Sequence, residues 1–382
     1  MDFSFETAGR VLFGAGRRRE LPELALNLGK APLVLFGRDQ GRVQFLIDEL
    51  SERGARPEVG SVSGEPSVAR VLDLTELARA AERDVIIAVG GGSVIDAAKA
   101  VAALHANPGH PLDYLEVVGA GKPLKSPSLP VIAVPTTAGT GAEVTKNAVI
   151  DVPEKEVKVS LRSATMLPPV ALLDPELTLS VPPDITRATG FDALTQVIEP
   201  FLSSARTPMT DALCREGIRR GAAALPSVLR DGSDLEARSE MMLTSLFGGM
   251  ALANAKLGAV HGFAGPLGGL SHAPHGALCA ALLPASLRVN LRALRARGEA
   301  RHLERFRELA VLLTGEQNAQ PEDAVFRIEE LTKELGVVPL SGLGVSRELA
   351  LRSVPMARRA SSMKGNPIEL TDEELEELVT SA

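Results

Sequence analysis

DVIIAVGGGSVIDAAKA, residues 84–100, decides how this chain is read. After Asp84 come five apolar residues, Val85 to Val89, four of them β-branched. Such an unbroken run reads as a strand buried on both faces, the kind a parallel sheet contains. Gly90, Gly91 and Gly92 end it, Ser93 stands at a cap position, and SVIDAAKAVAALHA continues with helical periodicity. Glycine lets backbone approach a ligand closely, and a helix N-terminus offers free N–H groups to a pyrophosphate. A tight strand-to-helix turn has the same appearance, and this stretch alone leaves the two readings equal.

Working outward, the same alternation recurs on both sides. APLVLFG (31–37) reads as a strand and VQFLIDELSERG (43–54) as a helix. RPEVGSV, VARVLDLTELARAAER and LPVIAVPTT (129–137) then read as strand, helix and strand. Beyond LLDPELTLSVPP, where Pro175, Pro182 and Pro183 interrupt regular structure, the character changes. Four long stretches with helical period follow, and no convincing strand. The fold expected is an α/β Rossmann-like parallel-sheet domain over 1–178, followed by an all-helical domain over 179–382. A ligand is expected where two such domains meet.

Composition narrows the function. The 382 residues exceed what one core usually organises, and 45% are apolar. The net charge of −7 is spread without a basic stripe, and aromatics are 3% with no Trp, which argues against nucleic-acid binding. Cys214 and Cys279 lie in apolar surroundings without CxxC spacing and read as buried free thiols. The opening MDFSFETAGRVLFG lacks the pattern of a signal peptide, and runs such as ALCAALLPASL are too short to span a bilayer. A cytoplasmic protein without membrane contact is expected.

A second loop, VPTTAGTGAEVTKNAVI (134–150), follows the next strand. Thr136, Thr137, Thr140 and Thr145 supply hydroxyls while Gly139 and Gly141 keep the backbone open. A lone loop of this kind is usually structural. Two on successive strands point to a dinucleotide.

GFDALTQVIEP (190–200) places Asp192 and Gln196 one turn apart on what reads as the opening of a helix. Of six histidines, three fall in GAVHGFAGPLGGLSHAPHGALCA (258–280), where His261 and His275 flank a Gly/Pro-rich break. Pro274 prevents reading His272 and His275 as a helical pair, and His105, His110 and His302 read as surface residues. A lone histidine is usually structural, but imidazoles clustered with an aspartate favour a transition-metal site. Phe263, Leu267 and Leu270 are apolar candidates for a substrate pocket.

In order and spacing, GGGSVIDAAKA, VPTTAGTGAEVT, LLDPELTLSVPPDITRATGFDALTQVIEP and GAVHGFAGPLGGLSHAPHG resemble the iron-containing (group III) alcohol dehydrogenase family. The resemblance runs from FETAGRVLFGAG to GNPIELTDEEL, essentially the whole chain. It implies the dehydroquinate synthase-like fold and an NAD(P)(H)-dependent alcohol dehydrogenase, or aldehyde or ketone reductase, assisted by a divalent cation, Fe2+ or Zn2+. Carried over by position, the cation's ligands fall on Asp192, Gln196, His261 and His275, with Asp192, His261 and His275 the catalytic set. Gln196 replaces the family's usual imidazole, a harder and weaker donor, and puts the metal in doubt. Gly265 stands where many members carry a further histidine. Gly91, Gly92, Ser93, Asp96, the four threonines and Lys158 fall on cofactor positions.

The resemblance also places Gly37 and Arg38 where the family reads the adenosine ribose. Loss of the usual carboxylate, with a guanidinium beside it, points to NADP(H), while Asp39 keeps NAD(H) open. A small alcohol or carbonyl substrate and a homo-oligomer, dimer or larger, are implied. The alternatives are a maleylacetate reductase-like metal-independent reductase and a catalytically impaired member. A dehydroquinate synthase-type lyase is disfavoured by the scarcity of Lys and Arg beside His261 and His275.

Overall fold

The computed structural model describes residues 2–382. They form two compact units, each described by itself. One comprises Thr7–Thr137 and Gly141–Leu179; the other comprises Ser180–Ala382, Ala138–Thr140 and the described residues up to Glu6.

The first unit holds strands β1 (Arg10–Phe13), β2 (Pro32–Phe36), β3 (Glu58–Ser61), β4 (Val85–Gly90), β5 (Val131–Pro135), β6 (Asn147–Val152), β7 (Val157–Arg162) and β8 (Val170–Leu173). Its helices are α1 (Leu21–Leu26), α2 (Gln44–Glu52), α3 (Val68–Ala80) and α4 (Gly92–Ala106). Six strands form one sheet in the order β1-β8-β5-β4-β2-β3, every pair parallel. In register, Leu35 stands beside Ala88, and Ala88 beside Ala133. Successive residues point to opposite faces of a strand, so each apolar run feeds two cores. Leu33, Leu35, Ile86 and Ala88 pack with α3 and α4 residues, whereas Val34, Phe36, Ile87 and Val89 pack with Leu21, Leu46 and Leu50 of α1 and α2. This two-sided burial is why these strands read as unbroken apolar runs.

Helix α1, strand β8 and one hairpin were not foreseen. β6 and β7 form an antiparallel hairpin, from Asn147 opposite Arg162 to Val152 opposite Val157. NAVIDV carries the alternation of a half-buried strand, with Ala148, Ile150 and Val152 inward.

The second unit is helical: α5 (Pro183–Leu202), α6 (Pro208–Arg230), α7 (Leu235–Ala255), α8 (Ala259–Ser271), α9 (His275–Ala296), α10 (Ala300–Thr314), α11 (Pro321–Glu334), α12 (Arg347–Arg359) and α13 (Asp372–Thr380). No strand follows Leu173 among the described residues. Helix α9 is apolar and long enough to span a membrane by composition, but 78% of that window is buried within the protein. It is a core helix, packed against α5, α8, α11 and α13.

Two expectations need correction. GFDALTQVIEP lies in the interior of α5 rather than at its start, because Pro182 and Pro183 provide the N-terminus eight residues earlier. The Gly/Pro-rich stretch after His261 is no break; α8 runs through it, with Pro266 inside. Close packing explains the glycine at 262, where an added Cβ would lie 2.8 Å from the Met363 methyl carbon. The chain turns later, where His272 takes a left-handed conformation (φ 56°) and Pro274 precedes α9.

Candidate functional site

Helix α5 carries Asp192 and Glu199, seven residues apart and so on one face. Helix α8 carries His261 in its first turn, and α9 begins at His275 with Cys279 one turn later. These three helices bring Asp192, His261, His275 and Cys279 together, with one donor atom of each within 4.8 Å of all the others.

His261 is held from both ends of its ring. Nδ1 lies 2.7 Å from Glu199 Oε2, and Nε2 lies 3.2 Å from Asp192 Oδ1. Glu199 Oε1 also accepts a hydrogen bond from the Val260 backbone N–H at 2.7 Å, so this carboxylate pins the open N-terminus of α8. His275 Nε2 stands 3.9 Å from Asp192 Oδ1, and Cys279 Sγ stands 3.7 Å from His275 Nε2 and 3.9 Å from His261 Nε2. Asp192, His261 and Cys279 are buried; the His275 side chain is 35% exposed and leaves the cluster open on one side.

Burial disfavours charge on these rings, yet the Cys279 sulfur and the carboxylates outweigh it. His261 is held well above its ordinary value and His275 is raised to about 9. Burial would raise Asp192, but the His261 hydrogen bond and the nearby His275 keep it below the usual carboxylate range. A divalent cation would have to displace those protons from the imidazole nitrogens. The set also matches metal chemistry: one histidine nitrogen points to the donors while the other is anchored by a carboxylate, as in metal-bound histidines. The residues therefore fit a cation.

Gln196 stands one turn after Asp192 on α5, with Nε2 donating to the Gly139 carbonyl at 2.7 Å. The side chain that gathers with the aspartate and the two histidines is Cys279, a free buried thiol. Its signal in the sequence is the four-residue spacing from His275, which is hidden while His275 is read beside a break. Glu199 was missed because only the first turn after Asp192 was read. Gly265, one turn beyond His261, has open space where a Cβ would stand. Phe263 and Leu267 are fully buried in the helical core, while Leu270 is half-buried.

In the α/β unit, the glycine turn and the threonine loop close the C-terminal ends of adjacent strands β4 and β5. Thr136 N–H donates to the Gly90 carbonyl, and a Cβ on Gly91 would lie 3.3 Å from Thr137 Oγ1. Gly91, not Ser93, caps α4, and it offers no side-chain acceptor. That leaves the first N–H groups of α4, around Gly92 and Ser93, uncapped by any side chain, as anion binding requires. Gly37 follows β2 with open space at its Cβ position. Arg38 is exposed, its Nε donating to Ser63 Oγ at 3.2 Å, while Asp39 accepts from Gly41 N–H at 2.9 Å and caps the next turn.

Other positions are tied into the fold. The Lys99 ammonium, fully buried, donates to the Ala142 and Asn147 carbonyls and to Thr145 Oγ1, and pairs with Asp96 at 3.0 Å. The second oxygen of Asp96 accepts from Val149 N–H, so Asp96 and Thr145 both serve this buried network. Lys158 pairs with Glu65 at 3.4 Å on the β6–β7 hairpin. Thr140 belongs to the short segment assigned to the helical unit.

Residues 8–175 match the profile of iron-containing alcohol dehydrogenase, and residues 186–382 that of the Fe-containing alcohol dehydrogenase family's C-terminal region. The chain belongs to the iron-containing alcohol dehydrogenase family. It is 33% identical to alcohol dehydrogenase 4 of Saccharomyces cerevisiae over 343 residues, covering 90% of this chain and 86% of the yeast protein. The crystal structure of a 1,3-propanediol oxidoreductase is 31% identical with a TM-score of 0.89, covering 100% of this chain and 99% of that one. A sulfoacetaldehyde reductase from Bifidobacterium kashiwanohense, solved in complex with NAD+, is 30% identical with a TM-score of 0.87, covering 100% and 98%. This family member is an oxidoreductase acting on alcohols with a nicotinamide coenzyme, on the dehydroquinate synthase-like architecture expected from its sequence.

Proposed function

We propose that the chain interconverts a small alcohol and its aldehyde or ketone, with Asp192, His261 and His275 holding a divalent cation. The observation that carries this is the doubly anchored His261, between Asp192 and Glu199, with His275 in reach of the same aspartate. Glu199 anchors His261 through Nδ1 and so aims Nε2 at the side of the ring where Asp192 stands, the nitrogen that would give up its proton to a cation. Burial of Asp192 and His261 excludes water from the inner side of the cluster, and exposure at His275 leaves an approach for the substrate oxygen. A cation bound there supplies a Lewis acid that polarises that oxygen, and the coenzyme supplies or takes the hydride at the adjacent carbon.

The coenzyme's pyrophosphate is assigned to Gly91, Gly92 and Ser93 at the start of α4, beside Thr136 and Thr137. NADP(H) is the favoured coenzyme, because Asp39 is spent on Gly41 N–H while the exposed Arg38, bonded through Nε to Ser63, keeps its terminal nitrogens for a 2′-phosphate beside Gly37. The buried free cysteines fit a reducing, cytoplasmic setting. A homo-oligomer, dimer or larger, is proposed on the resemblance alone.

The test is reduction of a panel of aldehydes with NADPH and with NADH, before and after removal of metal by a chelator. We expect activity that chelation abolishes and zinc or iron(II) restores, with kcat/KM higher for NADPH. Full activity in metal-free protein would favour the maleylacetate reductase-like reading, and a preference for NADH would reject the assignment of Arg38.

A further inference from the structure

Resting on the metal reading above, we propose that Cys279 is itself a metal donor, joining Asp192, His261 and His275 in a set that favours zinc over iron(II), with the substrate oxygen entering as a fifth donor on the exposed His275 side. The position where the resemblance implies a fourth donor holds Gln196, whose nitrogen is engaged by Gly139. The sulfur of Cys279 reaches the same cluster from another helix, one turn into α9.

The spacing suits coordination. In a tetrahedral zinc site with nitrogen and oxygen at about 2.0–2.1 Å and sulfur at about 2.3 Å, neighbouring donors stand about 3.3–3.6 Å apart. Here Asp192 Oδ1 to His261 Nε2 is 3.2 Å, Cys279 Sγ to His275 Nε2 is 3.7 Å, and the Cys279–His261 and Asp192–His275 distances are both 3.9 Å. These four separations lie within about 0.6 Å of the tetrahedral spacing, and the remaining pairs lie within 4.8 Å. The sulfur's recorded polar neighbours are other members of the cluster. Cys214, the other free cysteine, contrasts with it in place: it stands in the α6 core among apolar side chains, away from any histidine cluster.

The donor type sets the preference. A thiolate is a soft ligand, and zinc accepts mixed sulfur, nitrogen and oxygen donors, while replacing a sulfur with a hard oxygen lessens that advantage. The cysteine would bind as thiolate and release its proton on metal uptake.

The full-length protein, stripped of metal by a chelator, is titrated with cobalt(II) and followed by absorbance. The wild type should show visible d–d bands together with a near-ultraviolet sulfur-to-cobalt charge-transfer band. Cys279→Ser should lose the charge-transfer band and keep the d–d bands, and Cys214→Ser should keep both. Competition against a chelator should show zinc affinity falling in Cys279→Ser by more than the about 10–100-fold that loss of an outer partner costs, with iron(II) affinity falling less. Cobalt bound by the wild type without a charge-transfer band, or a band that survives in Cys279→Ser, overturns the thiolate while the metal reading stands. No cobalt binding at all overturns the metal reading itself. Circular dichroism checks that the variants are folded, and the wild-type spectrum decides the question should Cys279→Ser fail to fold.

Discussion

Glu199 holds two structures with one carboxylate. Oε1 takes the Val260 N–H at the start of α8, and Oε2 takes the His261 ring nitrogen. An added Cβ at Gly258 would lie 2.8 Å from Oε1, so the chain enters α8 through a glycine to let the carboxylate in. Replacing it with glutamine keeps the shape but removes the charge that favours a proton on His261 Nδ1. Losing such an outer partner costs about 10–100-fold in metal affinity. Glu199→Gln should therefore weaken zinc binding by that factor in a chelator competition. The charge lost at the helix N-terminus should cost only about 0.3–1 kcal/mol of stability. An unchanged zinc affinity would mean that the His261 ring is oriented by the packing of α8 and not by the carboxylate.

At the scale of elements, the site depends on where α9 begins. Gly276, the second residue of that helix, lies so close to α5 that a Cβ there would stand 2.3 Å from the Ala188 carbonyl oxygen and 2.7 Å from its carbon. Backbone cannot rotate out of the way as a side chain can, so the contact fixes the height of His275 beside Asp192. We expect Gly276→Ala to lower stability by about 1–3 kcal/mol in urea unfolding. It should also weaken zinc binding by displacing His275. Gly262→Ala, which meets only the flexible end of Met363, is the milder comparison. A Gly276→Ala protein that binds zinc like the wild type would show that α9 is positioned elsewhere along its length. None of this is legible from a single sequence. The glycine and proline content of 262–269 signals a break, and only tertiary packing reveals a helix that uses small residues for close approach. Once α8 is extended and the turn moved to His272–Pro274, the four-residue spacing of His275 and Cys279 becomes a helical one.

For the whole molecule, the sheet was legible because runs such as Val85–Val89 are buried on both faces and carry no polar interruption. The β6–β7 hairpin was not, because its alternating pattern falls inside a loop already assigned to ligand binding. Asp192, His261 and His275 were legible as unusual residue types in apolar surroundings, whereas buried charges such as Lys99 look like ordinary helix polarity until their partners are placed. Glu143 is the clearest such case. It lies in the threonine loop, 1% exposed, with Oε1 lacking any hydrogen-bond partner, and burial raises its pKa to about 7 despite the opposing charge of Lys99. A carboxyl group held above its ordinary 4.5 favours the folded state when protonated. That stability is fully present below about pH 4.5 and is lost as the pH rises through about 7, by roughly 3 kcal/mol at 1.36 kcal/mol per pKa unit. Glu143→Gln should therefore match the wild type more closely at pH 5 and become the more stable protein by pH 8. Urea midpoints measured at both pH values decide this, since an advantage that does not grow between them would show that Glu143 is already ionised in the fold.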